Sequence, residues 1–217
     1  SMGKGKWYIP PAERDQFLDL WCKAMPTLPA HLNVVPRVLN KKGPFVVDID
    51  LFCTKKKVVE HQDVLNFCEE VVVTLDQDRG LQIVVLVTRK DRPYAATLKL
   101  GKPAVETSGW KTGFHAWFFV DDNKKQYSKR HLEGLRKAFL DDGSLDWANK
   151  YDLLEPLANV WDPLVAAKSS WPMMLGCQKP TKSHGETGGP TKPYLAMTFE
   201  GSELTQSMSQ EDLVNGF

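Results

Sequence analysis

Within the run Phe45 to Leu51 the chain alternates from Val47 onward. Val47, Ile49 and Leu51 fall on one face of an extended segment, and Asp48 and Asp50 fall together on the other. A strand is predicted there. Val64, Cys68, Val71, Val72 and Leu75 then recur at spacings of three and four, which predicts an amphipathic helix within Val58 to Leu75. Leu81 to Thr88 is short, apolar and rich in β-branched residues, the pattern of a central strand, with Arg89, Lys90 and Arg92 clustered at its exit. A loop rich in Gly, Ser and Lys leads to a further strand, Phe114 to Val120. Its two faces, His115-Trp117-Phe119 and Phe114-Ala116-Phe118, are both apolar enough to call for cover on both sides. Ser128 is placed to cap a helix that aligns Leu132, Leu135 and Phe139 and ends at Asp141-Asp142-Gly143. A shorter helix is expected over Asp152 to Ala158, and a last strand over Tyr194 to Phe199.

At the start of the chain, Pro10-Pro11-Ala12-Glu13 reads as a helix beginning. Phe17, Leu18, Leu20 and Trp21 would form its apolar face, ending before Pro26. Thr27 to Pro44 is a connection with one short strand around Val34-Val35. Helices that alternate with strands predict an α/β (α+β) domain built on a mixed central sheet flanked by helices. Residues 1–6 read as a flexible start, with Ser1 ahead of Met2 an expression scar. Residues 7–200 form the domain, and 201–217, polar and acidic, read as a flexible linker or tail.

Composition adds constraints rather than identity. The 217 residues suffice for a sizeable core, no apolar run reaches the length of a membrane span, and no leader sequence is visible. An intracellular, non-secreted protein is expected. Cys22, Cys53, Cys68 and Cys177 are scattered among apolar neighbours without a CxxC pair, which fits buried thiols in a reducing compartment. A zinc site joining Cys177 to His184 would need two further ligands from afar. With 28 Lys plus Arg against 27 Asp plus Glu, overall charge gives no support to a nucleic-acid partner. Local clusters give some: Lys55-Lys56-Lys57, the stretch Lys124 to Lys137, and Lys179, Lys182 and Lys192 bracket the acidic pair.

Two carboxylates on one strand face repel unless a positive charge sits between them, and a divalent metal is the usual means. The plainer reading is a solvated acidic edge. Two more segments are candidates to converge on the pair. One is Lys111-Thr112-Gly113-Phe114-His115, a Gly-containing turn feeding a strand that carries a histidine. The other is Trp161-Asp162-Pro163, followed by Leu175-Gly176-Cys177-Gln178-Lys179. Three carboxylates, a histidine and basic groups suit two-metal phosphoryl transfer. Each segment also has an ordinary explanation: a satisfied core histidine, a turn aspartate before proline, a Gly-x-x-Lys loop.

The ordered set resembles the archaeo-eukaryotic primase superfamily, most closely the primase-polymerase modules of the poxvirus D5-like group in large DNA viruses and mobile elements. The matching segments are Val47-Asp48-Ile49-Asp50-Leu51, Gly113-Phe114-His115-Ala116-Trp117, and Trp161-Asp162 with Leu175-Gly176-Cys177-Gln178-Lys179. The opening Trp7-Tyr8-Ile9-Pro10-Pro11 is similar as well, so the likeness spans about residues 7 to 200.

The resemblance implies a primase-type catalytic core that makes or extends primers on a single-stranded DNA template from nucleoside triphosphates. It implies Asp48, Asp50 and Asp162 as ligands of catalytic Mg²⁺ or Mn²⁺. His115 would contact the phosphates, with Lys111, Gly113 and Lys179 beside it; Arg89 is added as a nucleotide or template contact by its position. A fused or associated superfamily 3 helicase is implied as partner. One departure stands out: Trp171-Pro172-Met173-Met174 occupies the place where many relatives carry an Arg. Two alternatives remain at this point, a metal-dependent glycosyltransferase that uses Asp-x-Asp on a nucleotide sugar, and a nucleic-acid-binding module without catalysis.

Overall fold

The computed structural model describes residues 9–24, 45–77, 79–90, 92–121, 129–163, 191–209 and 211–212. Pro11–Glu13 form a 3₁₀ turn that leads into α1 (Arg14–Ala24), closed by the Glu13 N–H donating to the Pro10 carbonyl at 2.9 Å. Of the expected apolar face of α1, Phe17 is half-buried and Leu20 exposed. The short strand expected near Val34-Val35 lies outside the described residues, as does the Ser128 cap.

Six strands form one sheet: β1 (Phe45–Cys53), β2 (Gln82–Lys90), β3 (Tyr94–Leu100), β4 (Val105–Asp121), β5 (Thr191–Glu200) and β6 (Glu203–Ser209). Their order is β1-β4-β2-β5-β6, with β3 also paired to β4. Every pairing among the described strands is antiparallel, where a mixed sheet was expected. Leu81 to Thr88 is central, as its β-branched run predicts, lying between β4 and β5.

The inner face of the sheet meets α2 (His61–Asp76), whose Val64, Phe67, Cys68, Val71, Val72 and Leu75 are buried at the predicted spacing. Phe67 is the centre of this packing. Its ring stands edge-on to Phe114 of β4, to Phe139 of α3 (Lys129–Asp141) and to Trp161, with centroids 5.7, 5.8 and 5.7 Å away. Edge-to-face contacts of this kind add to the burial of the rings themselves. Val47, Ile49 and Leu51 of β1 close the same core.

Several expectations are corrected. β4 begins at Val105, because the presumed Gly/Ser/Lys loop is a hairpin in which β3 pairs with β4 from Tyr94↔Lys111 to Leu100↔Val105. The outer face of β4 is not fully covered: Phe119 is 44% and its register partner Val84 40% exposed. The helix expected over Asp152 to Ala158 is instead two 3₁₀ turns, Asp146–Tyr151 and Leu157–Asn159, separated by Asp152 at φ +54°. Within the tail expected from Gly201, Glu203–Ser209 instead adds an edge strand to β5. Cys53 and Cys68 are buried free thiols, and burial, assisted by Glu155 and Asp152, pushes the Cys53 thiol up to about 11. Cys177 and His184 lie outside the described residues. No helix among the described residues is long and apolar enough to cross a membrane.

Candidate active site

The charge problem posed by Asp48 and Asp50 is met by the neighbouring strand. In the β1/β4 register Asp48 faces His115 and Asp50 faces Gly113. Cross-strand partners share a face, so the histidine and the carboxylates point the same way. His115 Nε2 lies 3.3 Å from Asp48 Oδ1, and Lys111 Nζ donates to Asp50 Oδ2 at 2.6 Å. Burial alone would lower the Lys111 pKa, but the charge of Asp50 and its hydrogen bond outweigh that, and the ammonium is held well above its ordinary value. The metal inferred from the repulsion is therefore not the sole means of balancing the pair.

Gly113 explains how close β4 comes. At φ +154° a Cβ built there would lie 1.9 Å from the Ile49 carbonyl oxygen. Only glycine lets β4 approach β1 at the point where the carboxylates project. Its role in this structure is backbone approach.

Asp162, 112 residues after Asp50 in chain order, reaches the same strand from its other edge. Trp161 bridges Ile49, the Asp50 N–H donates to the Val160 carbonyl at 2.8 Å, and the Asp162 N–H donates to the Asp48 carbonyl at 2.9 Å. Asp162 thus sits beside Asp48 in backbone register. Two contacts hold the segment: Trp161 is buried against Phe67 and Phe139, and Arg136 of α3 donates from Nε to the Trp161 carbonyl at 2.8 Å and from Nη2 to the Ala158 carbonyl. Arg136 escapes sequence reasoning, which groups it with a solvated basic stretch.

A shallow cleft open to solvent lies over the pair. It is lined by Asp48, Asp50, Lys111, Gly113 and His115, and also by Thr88, Arg89, Lys90, Arg92, Tyr94 and Thr191. Arg89 stacks on the Tyr194 ring, 3.4 Å from its centroid, and its Nη1 donates to the Val59 carbonyl at 3.3 Å. Tyr194 is held in turn by His61, Nδ1 to hydroxyl 2.8 Å. Lys90 lies over Tyr94 at 3.9 Å, and burial pushes the Tyr94 phenol up. Of the sequence-predicted residues, the structure thus gathers Asp48, Asp50, Lys111, Gly113, His115 and Arg89. Asp162 adjoins them through the backbone but does not line the cleft. Lys179 lies outside the described residues.

The basic clusters divide. Lys55 pairs with Asp152 at 2.9 Å and Lys56 lies over Trp110, so that triplet serves the surface rather than the carboxylates. The cations of the cleft come instead from the exit of β2 and from β4.

As donors, Asp48 and Asp50 suit a hard divalent cation: both offer carboxylate oxygens on one face and both open into the cleft. Among the described residues no group of three or more His, Cys, Asp or Glu side chains is gathered closely enough to hold a metal. The pair therefore fits as the base of a metal site, with Asp162 next to it in register.

No curated protein matches the chain. Residues 1–186 match the family model described as the C962R protein N-terminal AEP domain. With paired strand-borne carboxylates facing a histidine across an antiparallel sheet, the chain belongs to this family of archaeo-eukaryotic primase domains, that of a D5-like primase-helicase.

Proposed function

We propose that this domain is a primase-polymerase, which transfers nucleotidyl groups from nucleoside triphosphates to make or extend primers on a single-stranded DNA template. One observation carries the reading: Asp48 and Asp50 lie side by side on β1, facing His115 and Lys111 of β4 within a cleft rimmed by Arg89, Lys90 and Arg92. Carboxylates beside cationic donors suit a metal-bound triphosphate.

In this reading Asp48, Asp50 and Asp162 hold Mg²⁺ or Mn²⁺. When bound, the metal supplies Lewis-acid activation of the attacking hydroxyl and neutralises the leaving pyrophosphate. His115 and Lys111 donate to phosphate oxygens, and Lys179 is a further phosphate contact. Arg89, stacked on Tyr194, touches nucleotide or template. Gly113 contributes by letting β4 approach. Membership of the family favours nucleotidyl transfer over transfer from a nucleotide sugar. We further propose an intracellular role in replication, with a superfamily 3 helicase fused or associated.

A second reading is a nucleic-acid-binding module without catalysis. It is favoured by the pairing of Lys111 with Asp50, a cation already seated on one of the two carboxylates. Incorporation of labelled nucleotides on a single-stranded template with Mg²⁺ or Mn²⁺ separates the two. The wild type should synthesise primers or extend them, and the Asp48→Ala/Asp50→Ala variant should fold yet fall to background. Salt-sensitive DNA binding with no synthesis by the wild type would establish the second reading instead.

A further inference from the structure

Two hydroxyls in the cleft have no part in the carboxylate site. Thr88 of β2 is the register partner of His115, and Thr191 of β5 is the register partner of Lys90. Each is 1% exposed, and each lines the cleft. The Oγ1 of neither has a hydrogen-bond partner among the described residues. A buried hydroxyl left without a partner opposes folding, and replacement by an apolar group of the same shape removes that penalty. β2 takes the apolar choice nearby, with valine at positions 84, 85 and 87. Valine would fit a strand at position 88 equally well, so the hydroxyl calls for an explanation outside folding.

The chemistry of the surroundings indicates what the hydroxyls meet. Their strand neighbours in the cleft are His115 and Lys90, with Lys111 and Arg92 on its lining. These are donors or cations. Groups of this kind attract an anion rich in acceptor oxygens, and an O–H donating to such an oxygen makes a short, charge-assisted bond. We propose that Thr88 and Thr191 are phosphate-binding residues. Each donates its hydroxyl to a phosphate oxygen of the incoming triphosphate, Thr88 beside His115 and Thr191 beside Lys90. The inference rests on the nucleotidyl-transfer reading and adds a polar floor to its cationic rim.

Calorimetric titration with a nucleoside triphosphate and with inorganic tripolyphosphate, both with Mg²⁺, tests this on the intact chain. Thr88→Val and Thr191→Val should each weaken both ligands by about tenfold or more, while the ligand-free melting temperature stays level or rises. Opposite movements of affinity and stability exclude simple unfolding as the cause. Thr88→Ser, which keeps the hydroxyl, should retain affinity. Unchanged affinity in both valine variants, with normal wild-type binding, overturns the inference while leaving the nucleotidyl-transfer reading intact. Loss of nucleotide but not tripolyphosphate binding moves the contact to the sugar and also overturns it. A lower melting temperature in a valine variant means that its hydroxyl already has a protein partner, again against the proposal. A wild type that binds neither ligand sinks the nucleotidyl-transfer reading itself.

Discussion

Replacing Gly113 by alanine probes the contact on which the site's geometry depends. A Cβ at this position would stand 1.9 Å from the Ile49 carbonyl oxygen, whereas ordinary contact begins at 3.4 Å, so β1 and β4 would have to part by about 1.5 Å. Such a shift breaks the ladder at the Asp50 pair. Overpacking of this kind costs ~1–3 kcal/mol and a side chain held at φ +154° a further ~1–3 kcal/mol. For a chain of this size that total corresponds to a fall in melting temperature on the order of 10 °C.

Gly134 provides the matched control. It lies within α3 with nothing inside 4 Å of a built Cβ, so Gly134→Ala should stabilise by up to ~1 kcal/mol through helix propensity. Calorimetric melts of both variants read the two effects side by side. Gly113→Ala melting within about 1 °C of the wild type would refute the close-approach argument.

Two further outcomes follow from the cation partners of the site. Lys111→Met should destabilise the ligand-free chain by about 1.5–3 kcal/mol near neutral pH, read by denaturant unfolding. Because the folded-state pKa of Lys111 is raised, its contribution is complete below the unfolded lysine value and fades as pH rises through the folded one. The gap between wild type and Lys111→Met should thus hold from neutral to mildly alkaline pH and narrow only in strong alkali; a gap already closed at neutral pH would contradict the pairing. Arg136→Gln frees the carbonyls of Ala158 and Trp161, and the looser segment should weaken the apparent metal affinity of nucleotide incorporation by about tenfold, with a stability loss of ~1–3 kcal/mol. Lost stability with an unchanged metal dependence would make Arg136 structural only.

The Asp48/Asp50 strand was legible because it alternates from Val47 to Leu51 and its inward face is fully apolar. α2 was legible for the same reason at helical spacing. The β3/β4 hairpin was not. One of its faces is exposed and the other only half-buried, so polar Thr107, Ser108 and Lys111 resemble a loop until the ladder is seen. β6 is held by main-chain pairing to β5 rather than by burial, which leaves no apolar signal.

At the site, residue types were visible but pairings were not. That Asp48 meets His115 and Asp50 meets Lys111 depends on antiparallel register between segments more than sixty residues apart, and Gly113 is the feature in the sequence that marks it. Arg136 acts on main-chain carbonyls, which carry no side-chain signature. Thr88 and Thr191 were overlooked because threonine is an ordinary strand residue, and only its burial without a partner marks it.

Anomalous scattering from Mn²⁺ in crystals grown with a non-hydrolysable nucleoside triphosphate tests the central claim most directly. The account predicts a manganese peak coordinated by Asp48 and Asp50, joined by Asp162, with phosphate oxygens reaching His115. Manganese bound elsewhere, with Lys111 still seated on Asp50 and the cleft empty of nucleotide, would contradict it.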